Sequence, residues 1–361
     1  MSSLSRLLRT PWVQVVLFAV IAVLLVMAPL VLPVFGNQTL IRIGVYAVAV
    51  LGLNIVMGYA GQVSLGQIFF VGLGAYVTAY GVNAGWNITI VFVLACLVPG
   101  LAGLIVALAA ARLGGLAIAM VTIALPIVGL PLAKRLDELT GGSQGTSARF
   151  SGAPDWSGLD DDQWQYYIVA AITVAAFLLA RNLVRGKFGR ALVIVKDNEA
   201  VATSMGISPY RYKVLAFTIA SLYGGASGFL YMVAVQYTSP ETMNFGHSIS
   251  LVAAMVIGGA ASIAGSLIGG AYYVLVPQFT NTIDASLTLV IQGIILLAVL
   301  FLLPGGLVSL PRAIRRLVRR GRGGARTGPP PTTGSTPQTT PPPPAEAAVE
   351  GPENTERQGQ S

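Results

Sequence analysis

Charge is what this chain has least of. Only 10% of its 361 residues are Asp, Glu, Lys or Arg, against about a quarter in an ordinary soluble domain. So small a supply cannot cover a water-facing surface, and most of the exterior must therefore meet lipid. From Ile43 to Ala111 there is no Asp, Glu, Lys, Arg or His at all, a run of 69 residues. One bilayer span needs about 20 apolar residues, so this run crosses several times. Backbone amides in hydrocarbon must find partners within the protein, which leaves helices or a closed barrel. The apolar runs are continuous and do not alternate, which excludes the barrel.

Cysteine and histidine are nearly absent too. A single cysteine, Cys96, excludes an intramolecular disulfide framework. A single histidine, His247, leaves nothing to build a catalytic triad or a histidine-rich metal site. It is read as a solvated residue of a short outer loop. No catalytic residue, metal ligand or cofactor is predicted. No phosphate-binding Gly-x-x-x-x-Gly-Lys-Ser/Thr loop occurs, since Gly186-Lys187-Phe188 lacks the upstream glycine and the hydroxyl. An ATP-driven process would need its nucleotide bound by another subunit. The span interiors are poor in charge, which weakens a proton relay. Arg42 lies near a span end, where a long side chain reaches the interface. The net charge of +8 does not point to nucleic acid, because the basic residues cluster beside apolar runs.

What is present is a series of apolar runs. They predict an all-α, polytopic membrane protein with spans near 12–35, 39–58, 62–83, 87–111, 114–133, 164–184, 212–236, 249–276 and 284–308. Arg6 and Arg9 precede a first run too long for a signal core, so it is read as a retained anchor. Loop charges set the orientation. Segment 134–163 is rich in aspartate, whereas segment 185–213 carries Arg185, Lys187, Arg190, Lys196, Arg211 and Lys213. Segment 134–163 is predicted outside, with 185–213, residues 1–11 and the tail 312–361 in the cytoplasm, around a membrane domain of 12–311. Parity then makes segment 249–276 begin and end outside. It is predicted to break near Gly258-Gly259, either as a re-entrant pair or as two short crossings, giving eight to ten crossings. The tail turns from arginine-rich to Pro, Thr, Gly and Ser, a composition expected to stay disordered.

Three features stand out within this frame. From Gly52 to Gln67, polar Asn54, Gln62, Ser64 and Gln67 interrupt the apolar run among four glycines. A helix broken at membrane depth is tolerated where it lines a cavity or is buried in protein. This segment is either a tight turn on packed glycine faces or part of a translocation path. Asn54, Tyr59, Gln62, Ser64 and Gly66 are its candidate path residues. Residues 189–207 read as a short polar helix ended by Gly206, either a solvated connector or a docking element. Gly224-x-x-x-Gly228 and Gly265-x-x-x-Gly269 predict close helix packing within the chain.

Taken together, these motifs resemble a known family. Gly58-Tyr59-Ala60-Gly61-Gln62-x-Ser64-Leu65-Gly66, Thr140-Gly141-Gly142-x-x-Gly145, loop 189–207, Ser239-Pro240-Glu241 and Leu303-Pro304-x-Gly306-Leu307 are similar to LivM-type permeases. These are membrane subunits of the branched-chain amino-acid ABC importer, and the matches run in order over about residues 50–308. The resemblance implies a multi-pass permease of the cytoplasmic (inner) membrane, with both termini cytoplasmic. It implies partners: a LivH-like second permease, two ATP-binding cassette subunits that hydrolyse ATP, and an external solute-binding protein. It also implies that Gly189, Arg190, Asp197, Glu199, Ala200, Gly206 and Ile207 form a coupling loop against the ATPase. Two positions depart from the family pattern. Ser250 stands where relatives often have glutamate, and no Phe-Gly-Glu follows Thr122. A permease for urea or short amides, an ion-coupled secondary carrier and a membrane scaffold are the alternative readings.

Overall fold

The computed structural model describes residues 23, 25–110, 115–150, 152–281, 288–303 and 305–310. The chain divides into two units, Met1–Arg316 and Leu317–Ser361. The expectations for residues 1–11, most of the span at 12–35, and the tail 312–361 lie outside the described residues.

Long apolar runs become helices here because only helices satisfy every amide internally. They are α1 (Val34–Leu53), α2 (Gln67–Asn83), α3 (Ile88–Ala110), α4 (Gly115–Arg135), α5 (Asp161–Arg185), α6 (Lys187–Asp197), α7 (Glu199–Ser204), α8 (Pro209–Val235), α9 (Phe245–Gly258), α10 (Ile263–Asn281) and α11 (Thr288–Leu302). Two two-residue strands, Thr146–Ser147 and Tyr237–Thr238, pair antiparallel with Thr146 opposite Thr238. The protein is an all-α, polytopic membrane protein. Among the described residues, six helices are long and apolar enough to cross a bilayer. The apolar windows of α8 and of α1 with its continuation are each 67% buried, against 22% for α5. The first two are interior helices, and α8 packs against α1, α2 and α3.

Glycine lets the interior helices touch backbone to backbone. A Cβ on Gly228 of α8 would lie 2.2 Å from the Val71 carbonyl oxygen of α2. Gly265 and Gly269 of α10 close in the same way on Gly258 and on the Ala254 carbonyl of α9. Both small-residue motifs therefore serve packing within the chain.

Two predicted spans are broken. The run expected to start at residue 62 becomes helical only at Gln67. The run expected at 249–276 breaks over residues 259–262, where Ala261 takes φ 56° and Gly259 takes φ 126°. At about 1.5 Å per residue, the 14 residues of α9 span about 21 Å and the 19 of α10 about 28 Å. The two helices form a hairpin whose tip is that break.

The bundle has two distinct ends. At one, Asn83 Nδ2 donates to the Ser147 carbonyl at 3.0 Å, and Asn37 Nδ2 donates to Asp162 at 2.8 Å. Lys134 pairs with Glu241 at 3.1 Å, and that ammonium holds the Glu241 carboxyl below its ordinary range. At the other end, α6 and α7 meet the residues that follow α1. Segments 134–163 and 185–213 thus contact opposite ends of the helices.

Candidate functional site

The C-terminal end of α1 is unusual. It runs on as a π-helical turn, Asn54–Tyr59, and then stays non-helical to Gly66. A π-turn is rare and leaves the following backbone out of register with an α-helix. Here Ala60 N–H donates to the Ile55 carbonyl at 3.1 Å, and Gln62 N–H reaches back to the Val56 carbonyl at 3.0 Å. Gly61 turns the chain with φ 68°, a left-handed conformation that only glycine adopts freely.

The predicted path residues do not surround one cavity. Asn54 is 1% exposed and faces the tip of the α9–α10 hairpin. Its Nδ2 donates to the Ser262 carbonyl at 2.8 Å, Ser266 Oγ at 3.0 Å and the Gly259 carbonyl at 3.3 Å. Its Oδ1 accepts from Ala261 N–H at 2.8 Å. One buried amide therefore joins the two breaks. Gln62 faces α8, donating from Nε2 to the Lys213 carbonyl at 3.1 Å. With Ala107, Ala110, Ile118, Lys213 and Phe217 it lines a narrow crevice that has no room for a solute. Ser64 is buried, and Gly66 packs on Thr122 and Leu125 of α4. The neighbouring Leu65 N–H donates to Thr122 Oγ1 at 3.1 Å. Tyr59 packs against the cluster of Ala60, Leu192 and Ala216, which joins the segment after α1 to α6 and α8.

That loop holds two helices, where one short helix is expected from its sequence. Asn198 separates them. Its side chain accepts from Ala200 N–H at 2.9 Å and Val201 N–H at 3.2 Å, capping α7. Gly189 packs on Val184, and Arg190 Nη1 donates to the Arg185 carbonyl at 3.2 Å, tying α6 to the end of α5. Gly206, at φ 78°, ends α7, with Ile207 N–H donating to the Ala202 carbonyl at 2.9 Å. Glu199 forms an ion pair with Lys213, so its charge is engaged within the chain. Asp197 and Ala200 face outward beside Val201 and Met205, which are 48% and 62% exposed.

Sequence reasoning overlooked several residues. The sequence assigns Lys196 and Lys213 no role of their own, yet Lys196 Nζ donates to the Gly58 carbonyl at 2.8 Å. Ser262 and Ser266 were invisible as partners because Asn54 lies more than 200 residues away. His247 also differs from its expected loop position. It sits in the first turn of α9 with Nδ1 3.0 Å from Tyr273 Oη on α10. Ser250 Oγ donates to Gln292 Oε1 at 3.0 Å, a neutral pair between α9 and α11.

Comparison with known proteins places this architecture. Residues 35–300 match the family model described as branched-chain amino acid transport system / permease component. The chain belongs to this family. Its similarity to the high-affinity branched-chain amino acid permease LivM of Salmonella typhimurium is 29% identity over 296 residues, 74% of this chain and 68% of the relative. The Escherichia coli LivM is 27% identical over the same shares. An autoinducer 2 import permease, LsrC of an Enterobacter species, is 27% identical over 67% of this chain and 70% of its own. No solved structure matches. Members of the family are permease components, so this chain is a transport subunit.

Proposed function

We propose that the chain is the membrane permease of an ATP-driven importer and translocates branched-chain or related amino acids received from an external binding protein. The observation that carries this reading is the union of two features in one short region. A helix break after α1 supplies an uncharged polar segment within the bundle, and a two-helix loop with an exposed Val201–Met205 face rests directly on that break. A chain without a phosphate-binding loop needs such an external face to receive work from an ATPase.

In this reading segment 134–163 is external, while 185–213 and both termini are cytoplasmic. The face of Arg190, Asp197, Ala200, Val201 and Met205 enters a groove on one of two ATPase subunits. Gly189, Gly206 and Ile207 shape the loop, and Glu199 braces it through Lys213. A LivH-like permease completes the pathway. The crevice at Gln62 is the closed form of the route, with Ser64 and Gly66 on the same non-helical segment and Asn54 and Tyr59 on the π-turn that precedes it.

Reconstitution with ATPase subunits, a LivH-like second permease and a binding protein from the same organism tests this. Tritiated leucine should accumulate in proteoliposomes only with ATP and binding protein, and valine and isoleucine should compete. Uptake that persists without ATPases and follows a sodium or proton gradient would make the chain a secondary carrier. Competition by urea or acetamide alone would move the substrate to that class.

A further inference from the structure

We infer that Lys196 and Lys213 are positioning residues: two polar tethers through which displacement of α6 and α7 reaches the helix break at 58–66. Through Asn54 the same displacement reaches the second break at 259–262. The inference rests on the docking reading above and adds the route by which the loop acts on the membrane segments.

The first tether arises from an unmet need at a helix end. The last carbonyls of any helix lack backbone donors. After α1, the Ile55 and Val56 carbonyls are met by Ala60 and Gln62 N–H groups. The Gly58 carbonyl is met by the Lys196 ammonium at 2.8 Å, which also suits the negative end of the helix dipole. The lysine stem lies across Gly61, where a Cβ would come within 2.7 Å of its Cγ. Lys196 thus caps the break and covers its turn.

The second tether uses both ends of one residue. Outward, the Lys213 ammonium, with its side chain 13% exposed, pairs with Glu199 at the start of α7. Inward, the Lys213 carbonyl accepts from Gln62 at 3.1 Å. Between the tethers, Leu192, Ala60 and Ala216 form a small buried cluster. Apolar packing of this kind is non-directional, whereas the polar contacts fix direction and distance. From Gln62 the backbone leads to Val56, and the same π-turn carries Asn54, whose amide binds Gly259, Ala261, Ser262 and Ser266. The two breaks are therefore held as one unit, and among the described residues it is the lysines that join that unit to the loop by side-chain charge.

The test separates coupling from docking. Lys196→Met keeps the stem over Gly61 and removes the donor, while Lys213→Met removes the ion pair and leaves the carbonyl. In proteoliposomes holding the full importer, both variants should retain the ATPases and still hydrolyse ATP. Leucine moved per ATP should fall about tenfold, within the range typical of coupling between sites. Lys196→Arg and the double exchange Glu199→Lys/Lys213→Glu should return the ratio to near the starting value. An unchanged ratio in both Met variants would overturn the inference, and so would loss of ATPase retention, which would make the lysines docking contacts. If the unaltered chain retains no ATPase, the docking reading fails by itself. The tether is then decided by thiol labelling of Val63→Cys in a Cys96→Ser chain. Lys196→Met should speed that labelling severalfold, and an equal rate would refute the tether.

Discussion

Asn54 uses both ends of its side chain on one hairpin tip, and nothing apolar can replace it there. Leucine has a similar volume but would strand the Ala261 N–H and the Gly259 carbonyl. Each buried group left without a partner costs about 1–3 kcal/mol. Asn54→Leu should therefore destabilise the protein by roughly 2–5 kcal/mol and lower its melting temperature in detergent by several degrees. Asn54→Asp should do no better, since it turns a donor toward two carbonyls into an acceptor. Melting followed by size-exclusion fluorescence checks this, and an unshifted Asn54→Leu would mean that water replaces the amide. At this scale the sequence is informative about who is unusual and silent about with whom. Asn54 and Gln62 stand out as polar residues in an uncharged run, but their partners at 259–266 and at Lys213 come from tertiary packing. Lys196 and Lys213 look like ordinary loop charges, because periodicity carries no sign of a carbonyl waiting at a helix end.

The helices themselves were largely readable, since continuous apolarity and helix length are both set by bilayer thickness. The hairpin break was readable as well, from glycine and small residues at 258–266. The late start of α2 at Gln67 was not, because it depends on Gly61 taking φ 68° beneath the Lys196 stem. Nor was the division of loop 185–213 into α6 and α7, which turns on the Asn198 side chain capping α7 rather than continuing α6. The crossing of α2 and α8 yields a paired test. Gly228→Ala would press a methyl onto the Val71 carbonyl, whereas nothing lies within 4 Å of a Cβ at Gly293 in α11. Gly228→Ala should cost about 1–3 kcal/mol, while Gly293→Ala should be neutral or gain up to about 1 kcal/mol from helix propensity. Equal melting temperatures for the two variants would show that the crossing relaxes without strain.

For the molecule as a whole, the arrangement of ends is what a side-specific probe can read. Segment 134–163 meets Asn83 and the strand pair, and segment 185–213 meets the break after α1. Ser147→Cys and Met205→Cys, each in a Cys96→Ser chain, should label from opposite sides with an impermeant thiol reagent. In intact cells only Ser147→Cys should react, and Met205→Cys should follow after permeabilisation. Reaction of both from outside would reject the proposed orientation together with ATPase docking at the loop. The buried amide of Asn54 has one more consequence, for the order of assembly. Its first partner, Gly259, lies 205 residues further along the chain. A ribosome adding about 5–20 residues per second needs roughly 10–40 s to reach it. For that interval α1 sits in the bilayer with a polar group whose native partners do not yet exist. The Gly306 turn, whose Cβ would fall 2.5 Å from the Gly259 Cα, comes later still. A chain that stalls before the hairpin therefore keeps an unsatisfied amide at the end of α1, so the contact that joins the two breaks also distinguishes a finished protein from an unfinished one.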